Sequence, residues 1–242
     1  MLFRSRSVWN MPRIIGCAEN FPRHIGLPRG CLDAVLDLLQ ENNIRPVSQD
    51  ERLTGRKVTV QFTGNLRKDQ KAAVREMLQH EFGVLCAPTA FGKTVSAAAL
   101  IARRRMSTLV LVHRTELMRQ WAERLNSFLE LPQGWLGLVG GGRNKPTGKI
   151  DIAVMQSLSR REDLGQFLDQ YGQIIVDECH HISAVSFEAV LKQARAKYIV
   201  GLTATPIRRD GHQPIIFMQC DRSGTPPPPP KQHPPNLRYG QR

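Results

Sequence analysis

The chain has 242 residues, enough to bury one sizeable α/β core with length left over, and a formal net charge of +13 from 34 Lys and Arg against 21 Asp and Glu. That balance suits a phosphate-rich partner, and with no apolar run of transmembrane length in the sequence, a polyanion is expected rather than a membrane. The five cysteines (Cys17, Cys31, Cys86, Cys179 and Cys220) show no Cys-x-x-Cys spacing, so neither a zinc site nor a disulfide framework is expected, and the chain reads as reduced and cytoplasmic.

Taken in chain order, residues 1–62 open with turn signals at Met11-Pro12, Phe21-Pro22 and Leu27-Pro28-Arg29-Gly30. The spacing then predicts an amphipathic helix over 31–42, with Leu32, Val35, Leu36 and Leu39 on one face that is expected to pack into a core. Residues 57–62 alternate like a half-buried strand. From 63 to 219 helices and strands alternate regularly. Helices are expected over 67–80, 95–102 and 115–128, and strands around Val84 and over 108–112, 136–139, 150–154, 174–177 and 198–202. The strands are nearly all apolar, as strands covered on both faces are, so the fold expected is α/β: a doubly wound parallel sheet with its chemistry at the carboxyl ends of the strands. Within this stretch Gly140-Gly141-Gly142-Arg143-Asn144-Lys145 forms a basic turn. It is open to two readings, a close approach for a phosphate or a surface hairpin. After Cys220 the composition changes to five prolines, Pro226 to Pro230, and a polar end that cannot form a packed core.

The most informative residues are Ala87-Pro88-Thr89-Ala90-Phe91-Gly92-Lys93-Thr94, which follow the apolar Val84-Leu85-Cys86 and open an alanine-rich helix. Strand, loop and helix in that order make a phosphate-binding loop, here with Ala87 where the usual pattern has its first glycine. Backbone N–H groups and the positive end of the helix would wrap a polyphosphate. Lys93 would reach the β- and γ-phosphates and the Thr94 hydroxyl would bind Mg²⁺. Asp177-Glu178-Cys179-His180 follows Ile174-Ile175-Val176. An acid at the end of a buried strand suits a Mg²⁺ ligand, so Asp177 is expected to hold the metal and Glu178 to activate the attacking water. Thr203-Ala204-Thr205-Pro206 ends the next apolar run, where Thr203 and Thr205 could link the nucleotide site to another surface by hydrogen bonds.

With the three motifs in this order, the chain resembles a superfamily 2 helicase or translocase of the DEAD/DEAH-box type, and specifically its first RecA-like motor domain. The doubled His180-His181 and Gly201-Leu202-Thr203-Ala204-Thr205-Pro206 are similar to the DNA-repair and restriction-type branch, and to helicases of bacterial conflict systems. The resemblance spans roughly residues 64–219. It implies ATP and Mg²⁺ as cofactors, with Lys93, Asp177, Glu178 and His180 as the catalytic set. It also implies Gln70 in Leu66-Arg67-Lys68-Asp69-Gln70 as the residue that contacts the adenine. Nucleic-acid backbone contacts are implied at His113 and Arg114 (motif Ia) and at Gln156 and Ser157 (motif Ib), and coupling at Thr203 and Thr205. DNA is expected as partner in preference to RNA, together with a second RecA-like domain that this chain lacks and whose arginines would complete the site. Residues 1–62 are then either an accessory unit that grips DNA or the tail of an upstream domain, and 63–219 are the motor. Residues 220–242 are a disordered tail: a ligand for a proline-binding domain, or the product of a truncated or frameshifted reading frame. Two alternatives stay open: a catalytically inactive nucleic-acid-binding remnant, and another phosphotransferase with the same loop.

Overall fold

The computed structural model describes residues 18–179 and 184–204. A hairpin of β1 (Glu19–Phe21) and β2 (His24–Gly26) leads to α1 (Leu32–Glu41) and β3 (Gln61–Phe62). Then come α2 (Lys68–Gln79), β4 (Phe82–Cys86), α3 (Lys93–Arg104), β5 (Thr108–Val112), α4 (Thr115–Phe128) and β6 (Leu129–Glu130). They are followed by β7 (Leu136–Gly140), β8 (Arg143–Lys145), β9 (Ile150–Val154), α5 (Met155–Leu158) and α6 (Leu164–Leu168), and finally by β10 (Gln173–Val176), α7 (Ala184–Lys192) and β11 (Tyr198–Thr203).

The main sheet has seven strands in the order β4-β11-β10-β5-β9-β7-β8. Six run parallel, and β8 turns back antiparallel on β7 at one edge, so the sheet is mixed rather than wholly parallel. Because successive side chains of a strand point to opposite faces, each apolar run supplies both layers of the core. On one face Val110, Val112, Ile175 and Leu202 meet Val74 and Met77 of α2, Ala98 and Ile101 of α3, and Trp121 and Leu125 of α4. On the other, Leu109, Leu111, Ile174 and Val176 meet Leu158 of α5, Phe167 and Leu168 of α6, and Leu191 of α7. The apolar strand runs thus specify a three-layer sandwich.

Residues 53–62 run across the amino ends of three central strands as a strap. Leu53 bridges Ala196 ahead of β11, Gly55 bridges Tyr171 ahead of β10, and Lys57 bridges Met106 ahead of β5. The expected alternation is present in burial: Val58 and Val60 enter the core that α2, α3 and α4 cover, while Lys57, Thr59 and Gln61 stay exposed. Regular pairing is confined to Gln61 and Phe62, which pair with β6.

The helix expected over 31–42 is present as α1, but its apolar face is not core. None of its residues is buried, and Leu32, Leu36 and Leu38 are exposed. Helical spacing of leucines shows that a face is apolar without showing that anything in the chain covers it. Leu32→Ser and Leu36→Ser are therefore expected to change the unfolding free energy by less than about 0.5 kcal/mol. Leu109→Ala, on β5 between β10 and β9, is expected to cost about 2–5 kcal/mol, and chemical denaturation of the three variants checks the contrast.

Candidate functional site

Apart from Gln70, which lies in the first turn of α2 ahead of β4, the expected site residues within the described set sit at the carboxyl ends of parallel strands, and the strand order sorts them into two neighbouring groups. The phosphate loop follows β4, Thr203 ends adjacent β11, and Asp177-Glu178 follow β10, which is next in line. His113 and Arg114 follow β5, Gln156 and Ser157 follow β9, and the glycine turn follows β7. His180, His181 and Thr205 lie outside the described residues, as do residues 205–242 as a whole.

The loop is held in shape from several sides. Gly92 stands in the left-handed region (φ 82) at the entry to α3, where a Cβ would come within 2.6 Å of Gln70 Nε2, so both conformation and space call for glycine. No side chain caps α3, which leaves the first-turn N–H groups of a 12-residue helix to face the loop. Pro88, Thr89 and Ala90 are exposed, whereas Ala87 and Phe91 are buried anchors. The Ala87 N–H donates to the carbonyl of Thr203 (3.0 Å), which ties the loop to the end of β11. Gln70 does not point into open space: its Nε2 donates to the Phe91 carbonyl (2.7 Å) and its Oε1 accepts from the Arg67 N–H (2.9 Å). Arg67 also donates to that carbonyl (2.8 Å), so α2 braces the loop through both residues.

Lys93 is 6% exposed, its Nζ donating to the Ala87 carbonyl (3.0 Å) with Glu178 Oε1 at 3.9 Å. Asp177 is also buried. Its Oδ2 accepts from the Trp121 indole N–H at 2.6 Å and its Oδ1 from the Glu178 N–H at 3.0 Å. Burial pushes the Asp177 carboxyl above its ordinary value, opposed by the Trp121 hydrogen bond and reinforced by the nearby Glu178 charge. Glu178 takes up the left-handed conformation (φ 46), a sparsely populated one for a residue with a side chain. The pieces fit Mg-ATP: free helix amides for a polyphosphate, a buried lysine, and a buried carboxylate whose charge gains from a cation. Trp121 was not legible as part of this site, because a tryptophan in line with Met118 and Leu125 reads as core. Its polar N–H, which needs an acceptor once buried, is the one signal that could have pointed to Asp177.

On the other three strands, Arg114 and Gln156 are exposed, and His113 and Ser157 are half-buried. The turn Gly140, Gly141 and Gly142 has three successive positive φ values (120, 58 and 79). A Cβ on Gly141 would lie 2.4 Å from Thr115 Cγ2, and one on Gly140 would lie 3.0 Å from Ser157 Oγ. The turn therefore packs onto the starts of both α4 and α5, and brings the two expected nucleic-acid segments together. Of its two sequence readings, the hairpin is present as β7 and β8. Among the described residues, no helix is long and apolar enough to cross a membrane.

Comparison with known proteins finds relatives over this part of the chain. Residues 63–208 match the family described as type III restriction enzyme, res subunit. The DNA 3'-5' translocase XPB2 of Sulfurisphaera tokodaii is 33% identical over 146 residues, 60% of this chain and 32% of that protein. The putative DNA 3'-5' helicase Rad25 of Halobacterium salinarum is 34% identical over 181 residues, 73% of this chain and 30% of that protein. The chain thus spans about a third of the length of these curated relatives. The crystal structure of the UvsW helicase from bacteriophage T4 shares the fold, with a TM-score of 0.63 at 17% identity over 83% of this chain and 78% of that one. With the family match covering more than half of the sequence, the chain belongs to the type III restriction enzyme res subunit family and carries the first RecA-like domain of a superfamily 2 helicase.

Proposed function

We propose that this chain is the ATP-binding half of a DNA helicase or translocase motor, which couples ATP hydrolysis to movement along a strand. The observation that carries the reading is the strand order: three adjacent strands end at residues expected to bind the nucleotide, and the next three end at residues expected to contact a nucleic-acid backbone or at the glycine turn. Bound Mg-ATP supplies the transferable γ-phosphoryl group and the cation that neutralises its charge. The chain supplies the rest. The α3 amides and Lys93 hold the phosphates, Thr94 and Asp177 hold the cation, and Gln70, which braces the loop from α2, contacts the adenine. Glu178 takes the proton of the attacking water, with His180 beside it in sequence. The Ala87–Thr203 hydrogen bond joins the loop to the segment that carries Thr205, a route by which a change at the phosphates reaches another surface. Tracking of the nucleic-acid backbone falls to His113, Arg114, Gln156 and Ser157, assisted by the glycine turn.

A second RecA-like domain, consistent with the greater length of the relatives, closes the cleft and supplies arginines worth about 10³- to 10⁵-fold in phosphoryl transfer. The reading prefers DNA to RNA and places the motor with its DNA in the cytoplasm. Its test is steady-state ATP hydrolysis with and without single- and double-stranded DNA and RNA, beside Lys93→Met. ATP binding with slow, Lys93-dependent turnover supports a half-motor. Absence of ATP binding leaves a nucleic-acid-binding remnant. Arg114→Ala is expected to weaken single-stranded DNA binding and to reduce the salt-dependence slope by about one, as loss of one phosphate contact does, which fluorescence anisotropy across a salt series measures.

A further inference from the structure

We infer that Trp121 is a positioning residue for Asp177: its buried indole N–H fixes the carboxylate so that the remaining lone pairs face a divalent cation. The inference deepens the ATP-site reading above and rests on it. Met118, Trp121 and Leu125 form the buried stripe of α4, and that stripe explains why the ring is covered. It does not explain where the N–H goes. A buried indole N–H takes whatever acceptor its surroundings provide, and here the acceptor is the carboxylate of Asp177, the residue after β10, at 2.6 Å.

The two hydrogen bonds to Asp177 come from different elements and reach different oxygens. Oδ2 is held by a side chain of α4, and Oδ1 by the Glu178 N–H in a turn of left-handed conformation. A carboxylate offers about four lone-pair sites, so both oxygens keep one for a cation, and the plane of the group is set before a cation arrives. Ligand carboxylates are generally oriented by hydrogen-bonding partners in this way, and loss of such a partner lowers metal affinity about 10- to 100-fold. Phenylalanine would fill most of the same core space without the N–H, so packing and positioning are separable at this position.

The test uses the full chain and a fluorescent ATP analogue, with binding followed across a Mg²⁺ titration for the parent, Trp121→Phe and Asp177→Asn. Trp121→Phe is expected to bind nucleotide without Mg²⁺ as the parent does and to need about 10-fold more Mg²⁺ for half-saturation, with Asp177→Asn losing the Mg²⁺ response. An unchanged Mg²⁺ requirement in a folded Trp121→Phe chain overturns the inference, as does an equal loss of metal-free binding. Should Trp121→Phe not fold, a chain with Trp9→Phe and Trp135→Phe leaves Trp121 as the sole tryptophan. Its emission is then expected to shift when Mg²⁺ is added to the nucleotide complex, and a constant emission overturns the inference. A parent that binds no nucleotide at any Mg²⁺ concentration removes the ATP-site reading itself, and this inference with it.

Discussion

Lys93→Met is expected to lower ATP affinity by about 100-fold or more while leaving the fold at least as stable as the parent. The two effects separate because Lys93 is a buried cation whose nearest carboxylate oxygen lies 3.9 Å away and whose one short contact is a neutral carbonyl. Burying an ammonium group costs several kcal/mol of desolvation, and an apolar side chain of similar volume in its place is often neutral or stabilising. With nucleotide present the balance reverses, because the ammonium exchanges that carbonyl for phosphate oxygens. Two charge-assisted hydrogen bonds at about 1.5–3 kcal/mol each give a loss of about 3 kcal/mol or more, which is about 100-fold in affinity. Nucleotide titration and a thermal melt of the same preparation check both halves. A Lys93→Met chain that binds ATP like the parent removes the phosphate role from this loop. One that loses binding only because it has unfolded shows that the lysine holds the structure rather than the ligand.

Much of the RecA-like domain was legible in the sequence because its signals are local. The phosphate loop sits between an apolar strand and an alanine-rich helix, and Asp177 directly follows a run of buried β-branched residues, so strand ends and motif positions could be read together. Three features were not legible, each for a different physical reason. The exposure of α1 depends on what packs against it, and a helical leucine pattern carries no information about a partner. The strap depends on non-local pairing: Leu53, Gly55 and Lys57 meet residues 143, 116 and 49 positions away, and a short segment crossing strand ends has no periodicity of its own. The engagement of Gln70 and Trp121 depends on where single polar atoms point. A glutamine in the adenine-reading segment is expected to contact a base, and the sequence carries no sign that its amide also braces the loop through the Phe91 carbonyl. A tryptophan in line with Met118 and Leu125 has the spacing of a core residue, yet its N–H ends on Asp177. Pattern reading finds faces and strand ends, but the direction of a donor on a buried side chain is set by tertiary structure.

Gly172→Ala is expected to destabilise the chain by about 2–5 kcal/mol, more than one added methyl group usually does. A Cβ at this position would stand 1.9 Å from the Thr54 carbonyl oxygen and 2.2 Å from its carbon. Backbone cannot swing aside as the end of a long side chain can, so the strap itself has to move. Its hydrogen bonds then go: Leu53 N–H to Arg195 O (2.7 Å), Lys197 N–H to Leu53 O (2.9 Å) and Ser107 N–H to Arg56 O (2.8 Å). Val58 and Val60 also lose part of their burial in the core. Overpacking alone costs about 1–3 kcal/mol, and partial exposure of two valines adds about 1–2 kcal/mol. For a domain of this size the sum corresponds to a fall in melting temperature of about 10 °C. Gly165→Ala in α6 is the matched control, because its added methyl would meet nothing closer than Gln193 Oε1 at 3.7 Å and gains helix propensity of up to about 1 kcal/mol. The strap crosses the amino ends of the strands and the phosphate loop lies at their carboxyl ends, so ATP affinity should survive in Gly172→Ala wherever the chain is still folded. A variant that melts like the parent would show that residues 53–62 are an appendage. One that melts early with its ATP affinity intact makes the strap part of the RecA-like domain, which then begins upstream of residue 63.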